Sequence, residues 1–227
     1  MTRRSVITML AALFGSGAAP AATARAAEAD PGLGVFLKAF PPDADVKPCD
    51  EATCQAYAGK LPDILLRLWR EVGRGSYAGG LLVITDPAHW EPTLSAWLRG
   101  NIQDRYTIAR SAFGDLFYYR DKGMHEVGGV PMKIEDVSRI DPHNPHSDVC
   151  AWSLEAFLGE YLLEPETPEA ALRKPLFDAA VARFGRPKGD NGFFFVPALA
   201  LGGPADSAHV GTGDLIVHLH ILVQMHQ

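Results

Sequence analysis

The stretch that decides the fold is YTIARSAFGDLFYYR, which covers residues 106–120. Strand-type residues, β-branched and aromatic, lie on both sides of a central Gly114-Asp115 pair. This composition predicts two strands joined by a turn, because glycine gives the backbone the necessary freedom and aspartate accepts hydrogen bonds from backbone amides. The same stretch holds Arg110 and Ser111 near the turn, so it also has to be considered as a catalytic site.

Serine chemistry at Ser111 would require a base and hydrogen-bond donors for an oxyanion. The stretch contains no histidine and no Gly-x-Ser-x-Gly elbow, although a histidine distant in sequence could approach Ser111 in the fold. A structural role fits better, with Phe113 as a core anchor. Arg110 would then form an ion pair with Asp115 or Asp86. We predict that the stretch is the centre of a fold and that the protein is not an enzyme.

The flanking segments predict an α+β domain. A helical pattern that contains Trp69 precedes a short β-branched run at residues 81–85. Asp86 can cap the helix that follows this run, because Pro87 suits a first helical turn. More short strands continue from the opening stretch to residue 140, so we predict helices packed on a mostly antiparallel sheet.

A second small domain is predicted to follow. The sequence DPHNPHSD, residues 141–148, is polar and proline-containing, and it is typical of a solvated linker. Beyond it the pattern becomes helical, until an apolar run, FFFVPALALGG at residues 193–203, ends in two glycines. These glycines lack the Lys-Ser or Lys-Thr that would follow in a phosphate-binding loop. The last stretch, residues 214–227, fits either a strand or a helix.

The first 26 residues are typical of a signal peptide. Arg3 and Arg4 precede a short apolar stretch and an alanine-rich region, and the residues around them match a twin-arginine export motif. The apolar run is too short to span a bilayer, so no membrane association is expected once the leader is removed. We predict a periplasmic protein; if the start of the chain is assigned wrongly, the protein would be cytoplasmic.

The formal net charge is −6, and removing the leader would take away three arginines and no acidic residue. Nucleic acid is therefore not expected as a direct partner, because neutralising phosphates requires clustered lysine and arginine. An acidic surface suits a protein partner with a basic surface, although the same charge could serve only solubility.

Cysteine and histidine patterns leave two further possibilities open. Cys49 and Cys54 could close a small disulfide loop in an oxidising compartment. A metal site could combine Cys150 with the two histidines of the linker, His143 and His146. A second could form from His218 and His220, with His209 or His226 as a further ligand. Solvated or hydrogen-bonded histidines explain both patterns better, so we predict no metal and no cofactor.

The quoted motifs resemble two domain families that occur together. LPDILLRLWREVGRGSYAGGLLVITDP followed by IARSAFGDLF resembles the GAD-like domain. FFFVPALALGG with VHLHILVQ resembles the domain at the end of type VI secretion DNase-immunity proteins. The resemblance assigns residues 27–140 to the first domain and residues 149–227 to the second. The structural positions of these motifs are Trp69, Asp86, Arg110, Phe113, Gly114, Asp115, Pro197, Gly202, Gly203 and His218.

The resemblance implies a non-enzymatic protein that binds a secreted toxin, a nuclease in this family, and blocks it. An export leader departs from this pattern, because immunity to a DNase is expected where the DNA is. The alternative is an exported hydrolase or metal-dependent enzyme that uses histidines of the C-terminal half. Such an enzyme should show a concave pocket with convergent polar groups, whereas an immunity protein should show a broad acidic surface.

Overall fold

The computed structural model describes residues 23, 24, 26, 31–144 and 146–225. Apart from three positions, the predicted signal peptide lies outside these residues. No helix in the described ranges combines the length and the apolar character needed to cross a bilayer. Export and cleavage of a leader therefore stay predictions.

Three helices open the chain from residue 31 onward, and one further helix separates the first two strands from the next four. The α-helices are α1 (Pro31–Ala39), α2 (Glu51–Tyr57), α3 (Asp63–Glu71), α4 (Pro87–Trp97), α5 (Leu154–Gly159), α6 (Thr167–Ala170), α7 (Lys174–Phe184) and α8 (Leu215–Met225). The strands are β1 (Gly75–Tyr77), β2 (Leu82–Ile84), β3 (Arg105–Ser111), β4 (Leu116–Val127), β5 (Val130–Asp141), β6 (His146–Ala151), β7 (Asn191–Phe195) and β8 (Val210–Asp214). Short 3-10 turns lie at Ala78–Gly80, Tyr161–Leu163, Leu199–Leu201 and Ser207–His209.

Six strands form an antiparallel meander in the order β1-β2-β3-β4-β5-β6. The predicted α+β class is confirmed. The opening stretch forms β3, a turn and β4, in which Tyr106 pairs with Tyr119 and Arg110 with Leu116. Gly114 adopts a φ of 84° in the turn, a left-handed conformation that glycine takes at little cost.

The helices cover both faces of this sheet, and β4 shows why. Phe117 and Tyr119 point to one face, where they share a buried cluster with Trp69 of α3 and Phe157 of α5. Leu116 and Tyr118 alternate to the other face. There they pack with residues of α4 and α8 in a second buried cluster. Because β4 carries apolar side chains on both faces, helices must cover both faces of the sheet to bury them.

The second half of the chain packs onto the sheet at the turn between β3 and β4. Strands β7 and β8 form a separate antiparallel pair, and the Phe193 amide donates to the Ala112 carbonyl at 2.8 Å. The stretch that fitted strand or helix is a helix, α8. Its buried residues Leu215, Leu219 and Leu222 lie on one helical face, and Asp214 accepts a hydrogen bond from the Val217 amide at its start.

The segment predicted as a solvated linker is buried over its first three residues, 141–143, whereas Asn144 and Ser147 are exposed. Asp141 and His143 are only 6% and 3% exposed. The segment ends inside β6, which adds to the edge of β5 as the sixth strand. Burial is tolerated because Asp141 accepts hydrogen bonds from Arg173 and the His143 amide, and His143 Nε2 lies 2.8 Å from the Phe113 carbonyl. The boundary between the two predicted domains stays a prediction.

Candidate interaction surface

Arg110 is fully buried and is held by backbone carbonyl groups. Its Nη2 atom donates to the Gly189 carbonyl at 2.6 Å, and its Nη1 atom donates to the Ser111 carbonyl at 3.2 Å. The guanidinium lies 5.4 Å from the ring centre of Trp90. Burial lowers the pKa of Arg110 to about 10, partly offset by the charge of Asp190, so the side chain remains cationic at neutral pH.

The predicted ion pairs of Arg110 are wrong. Asp115 is bound by Arg173, and Asp86 is bound by Arg74 while it caps α4 through the Ala88 amide. The physical reason is strand alternation: Arg110 points to the sheet face opposite that of its neighbour, whose hydroxyl contacts Asp115. The prediction that Asp86 is an N-cap is confirmed.

Asp115 is the centre of a buried network that connects the turn to α7. Its Oδ2 atom accepts from the Ser111 hydroxyl at 2.6 Å and from Arg173 Nη1 at 2.7 Å. Arg173 also donates from Nη2 to Asp141 at 2.8 Å, and its backbone has a φ of 51° at the start of the helix. The Ser111 hydroxyl accepts from the amides of Phe113 and Asp115. The hydroxyl is therefore committed to the turn. The prediction that Asp115 accepts from backbone amides there is wrong, because the Ser111 hydroxyl takes that role while Asp115 binds Ser111 and Arg173.

His143 completes the same junction, and His218 lies next to it. The Nε2 atom of His143 is 2.8 Å from the Phe113 carbonyl, and burial followed by the charge of Arg173 lowers the pKa of His143. His218 stacks on Phe194 with ring centres 4.1 Å apart. Burial and the proximity of His143 lower the pKa of His218 to about 4. Both imidazoles are neutral at neutral pH.

The structure assembles no metal site from the candidate ligands that it describes. Within the described ranges, no group of three or more histidine, cysteine, aspartate or glutamate side chains could hold an ion. The side chain of His146 and the whole of His226 lie outside those ranges. Cys49, Cys54 and Cys150 are free thiols in this structure. A disulfide between Cys49 and Cys54 in an oxidising compartment stays a prediction.

Pro197, Gly202 and Gly203 build a tight loop after β7. Gly202 has a φ of 79°, and the amide of Gly203 donates to the Ala198 carbonyl at 3.2 Å. A side chain at Gly203 would collide with the Pro197 carbonyl. The double glycine therefore serves backbone packing.

An acidic surface begins at Trp152, two residues before α5. Residues 152–170 contain no lysine or arginine. Five exposed glutamates lie on this segment, which we call the acidic segment: Glu155, Glu160, Glu164, Glu166 and Glu169. None of them forms an ion pair with another described residue. Helices α5 and α6 and the turn between them hold the segment, because Leu154, Phe157 and Leu162 are buried beneath it.

A cleft of about 460 Å³ lies between the 3-10 turn after β1 and the loop after α7. Asp43 and Asp45 line one side and Arg186 and Lys188 the other. No histidine or cysteine is among its lining residues. The histidines of the enzyme alternative therefore do not converge in this cleft.

Sequence comparison assigns both parts of the chain. Residues 32–128 match the family described as GAD-like domain, and residues 153–226 match the family described as T6SS immunity protein Tdi1, C-terminal. The chain is a GAD-like domain followed by a Tdi1-type C-terminal domain. The recognition made from sequence motifs is thereby confirmed. No curated protein matches the chain in sequence.

The overall fold is similar to that in the crystal structure of Atu4351 from Agrobacterium tumefaciens. The TM-score is 0.66 at 15% sequence identity, and the match covers 83% of this chain and 86% of that chain. At this identity the likeness shows the fold alone. Arg110 and Asp115 lie in the range that matches the GAD-like domain, and their partners Gly189 and Arg173 lie in the range that matches the Tdi1-type domain. The buried junction therefore connects the two domains.

Proposed function

We propose that this protein is a type VI secretion immunity protein that binds a cognate toxin, a nuclease by the family resemblance, and blocks its active site. The observation that carries the proposal is the match of residues 153–226 to the Tdi1 C-terminal family. The protein acts by binding alone, so it needs no cofactor and no catalytic group.

The acidic segment supplies a physical mechanism. A nuclease needs a basic surface to bind phosphate groups. Five exposed glutamates that form no ion pair with a described residue can compete for such a surface, and their field accelerates encounter with it. The toxin is then occluded sterically, and substrate access is lost.

The test uses the purified chain and the proteins encoded beside its gene as candidate toxins, with toxicity and association rate as readouts. Glu164→Lys and Glu169→Lys, measured singly, should each slow association several-fold at low salt, and the effect should shrink at high salt. Glu91→Lys is the matched control, because it reverses an exposed glutamate on α4, outside the acidic segment. If all three variants slow association equally, net charge alone explains the effect and the acidic segment has no specific role. Absence of any complex with the unaltered protein would overturn the proposal.

We also propose that the protein is exported and acts in the periplasm, on the basis of the leader sequence. Mass spectrometry of protein from the periplasmic fraction should find an N-terminus near residue 27. An intact N-terminus in the cytoplasmic fraction would contradict this location.

A further inference from the structure

Strands β4 and β5 extend beyond the sheet as a two-stranded arm. They pair with each other as far as Val127 and Val130. The neighbouring pairings stop earlier: β3 pairs with β4 only as far as Arg120, and β6 pairs with β5 only as far as Val137. We call residues 121–135 the ribbon. Both of its edges lack a third strand within the described chain, and such edges are normally protected because they invite pairing.

One face of the ribbon is apolar and exposed. The cross-strand pairs Val127–Val130 and His125–Met132 lie on the same face, since opposed residues share a side and alternate pairs swap sides. Val127, Val130 and Met132 are 50%, 58% and 48% exposed. These side chains cover no part of either buried cluster, so the fold gives them no structural role.

The same face continues at the base of the ribbon to Trp152. Asp136 lies on the face of Met132 because the two are four residues apart on β5. Lys122 joins the two parts, with its Nζ atom 2.6 Å from Asp136 and 5.5 Å from the ring centre of Trp152. Trp152 is 70% exposed and is the first residue of the acidic segment. The apolar face of the ribbon, which we call the strip, is therefore continuous with the acidic segment.

The charges around this strip favour one kind of occupant. Lys133 is paired with Glu135 at 2.9 Å, whereas Lys122 shares the carboxylate of Asp136 with Arg120. Glu126 remains exposed near the tip. The strip thus presents apolar anchors within a negative rim, which is complementary to a protein with an apolar groove in a basic surface.

We propose that the apolar, exposed face of the ribbon, together with Trp152, is the surface on which the toxin docks. This rests on the proposed immunity function and adds the binding face to it. Exposed tryptophan and a cluster of apolar side chains are the groups that supply most of the binding energy at protein interfaces. The acidic segment beside them steers the basic partner and forms the rim.

The experiment measures the affinity of the full chain for the toxin encoded beside its gene by titration calorimetry. The triple variant Val127→Ser, Val130→Ser and Met132→Ser should raise the Kd at least 100-fold. Trp152→Ala alone should raise it at least 10-fold, and this variant keeps the test valid if the triple variant folds poorly.

A matched control removes the same amount of exposed apolar surface elsewhere. Val217, Ile221 and Met225 on α8 are 58%, 44% and 43% exposed. Their triple substitution to serine should leave the Kd within about threefold. If the ribbon and Trp152 variants bind like the unaltered protein, the docking face is refuted while immunity stands. If the unaltered protein does not bind the toxin, the proposed function fails, and the docking face falls with it.

Discussion

Replacing Asp115 by asparagine tests whether the buried network holds the two domains together. Asp115 has no exposed surface and accepts hydrogen bonds from Ser111 and Arg173 at 2.6 and 2.7 Å. Asparagine keeps the size and one acceptor oxygen but removes the charge that compensates Arg173. Removing one partner of a buried ion pair costs about 3–5 kcal/mol, because the other charge stays buried.

The lower end of that range applies here, since Arg173 retains Asp141 at 2.8 Å. A loss of about 3 kcal/mol in the free energy of unfolding corresponds to a fall in Tm of roughly 6–12 °C for a chain of this size. Urea and thermal unfolding, followed by circular dichroism, measure both quantities.

The control is Asp178→Asn, which also removes one carboxylate from an ion pair. Asp178 binds Lys174 across one helical turn, and both side chains are about half exposed. Such a pair contributes less than about 0.5 kcal/mol, so the Tm should move by no more than about 2 °C. If Asp115→Asn also stays within about 1 kcal/mol of the unaltered protein, the reasoning about the junction is wrong.

Two further predictions concern pH and backbone packing. The pKa of His218 is lowered by burial to about 4 against an unfolded value near 6.5, so the unfolded chain binds more protons in this window. The contribution of neutral His218 to stability is therefore fully present above about pH 6.5 and is lost as the pH falls towards 4. Because His218 is half-buried, the loss is less than about 1.4 kcal/mol per pH unit. In urea titrations His218→Gln should flatten this decline, whereas His125→Gln, at an exposed position, should not. Gly192→Ala would place a Cβ atom 2.6 Å from the Ala112 carbonyl and should lower the unfolding free energy by about 2–3 kcal/mol. Gly213→Ala, at the paired position of β8, meets nothing closer than 3.4 Å and should change it by less than about 1 kcal/mol, so equal effects in thermal unfolding would contradict the packing argument.

The parts of the fold that sequence could predict depend on local signals. Gly114 and Asp115 mark the β3–β4 turn, and Asp86 with Pro87 marks the start of α4, because turn and cap chemistry act over a few residues. The acidic segment was also readable, since it needs only the absence of lysine and arginine across residues 152–170.

The remaining features depend on contacts distant in sequence. Arg110 finds its acceptors at Gly189 and Asn191, 79 and 81 residues away, and no local pattern indicates carbonyl groups at that distance. The final stretch fitted two periodicities, and burial of Leu219 against the sheet favours the helix. The strand composition of the ribbon was visible, but its projection beyond both neighbours follows from where β3 and β6 end.

The contact between Arg110 and the second domain has a consequence for how this protein can diversify. The guanidinium recognises the main chain at Gly189 and Asn191, and every amino acid at those positions offers the same carbonyl oxygen. The Lys188 side chain can therefore be exchanged without loosening the joint, whereas Gly189, at a φ of 59°, favours glycine and Arg186 lies 3.6 Å from Asp43. An evolving lineage, or a protein engineer, can vary such positions while the two domains keep their relative placement.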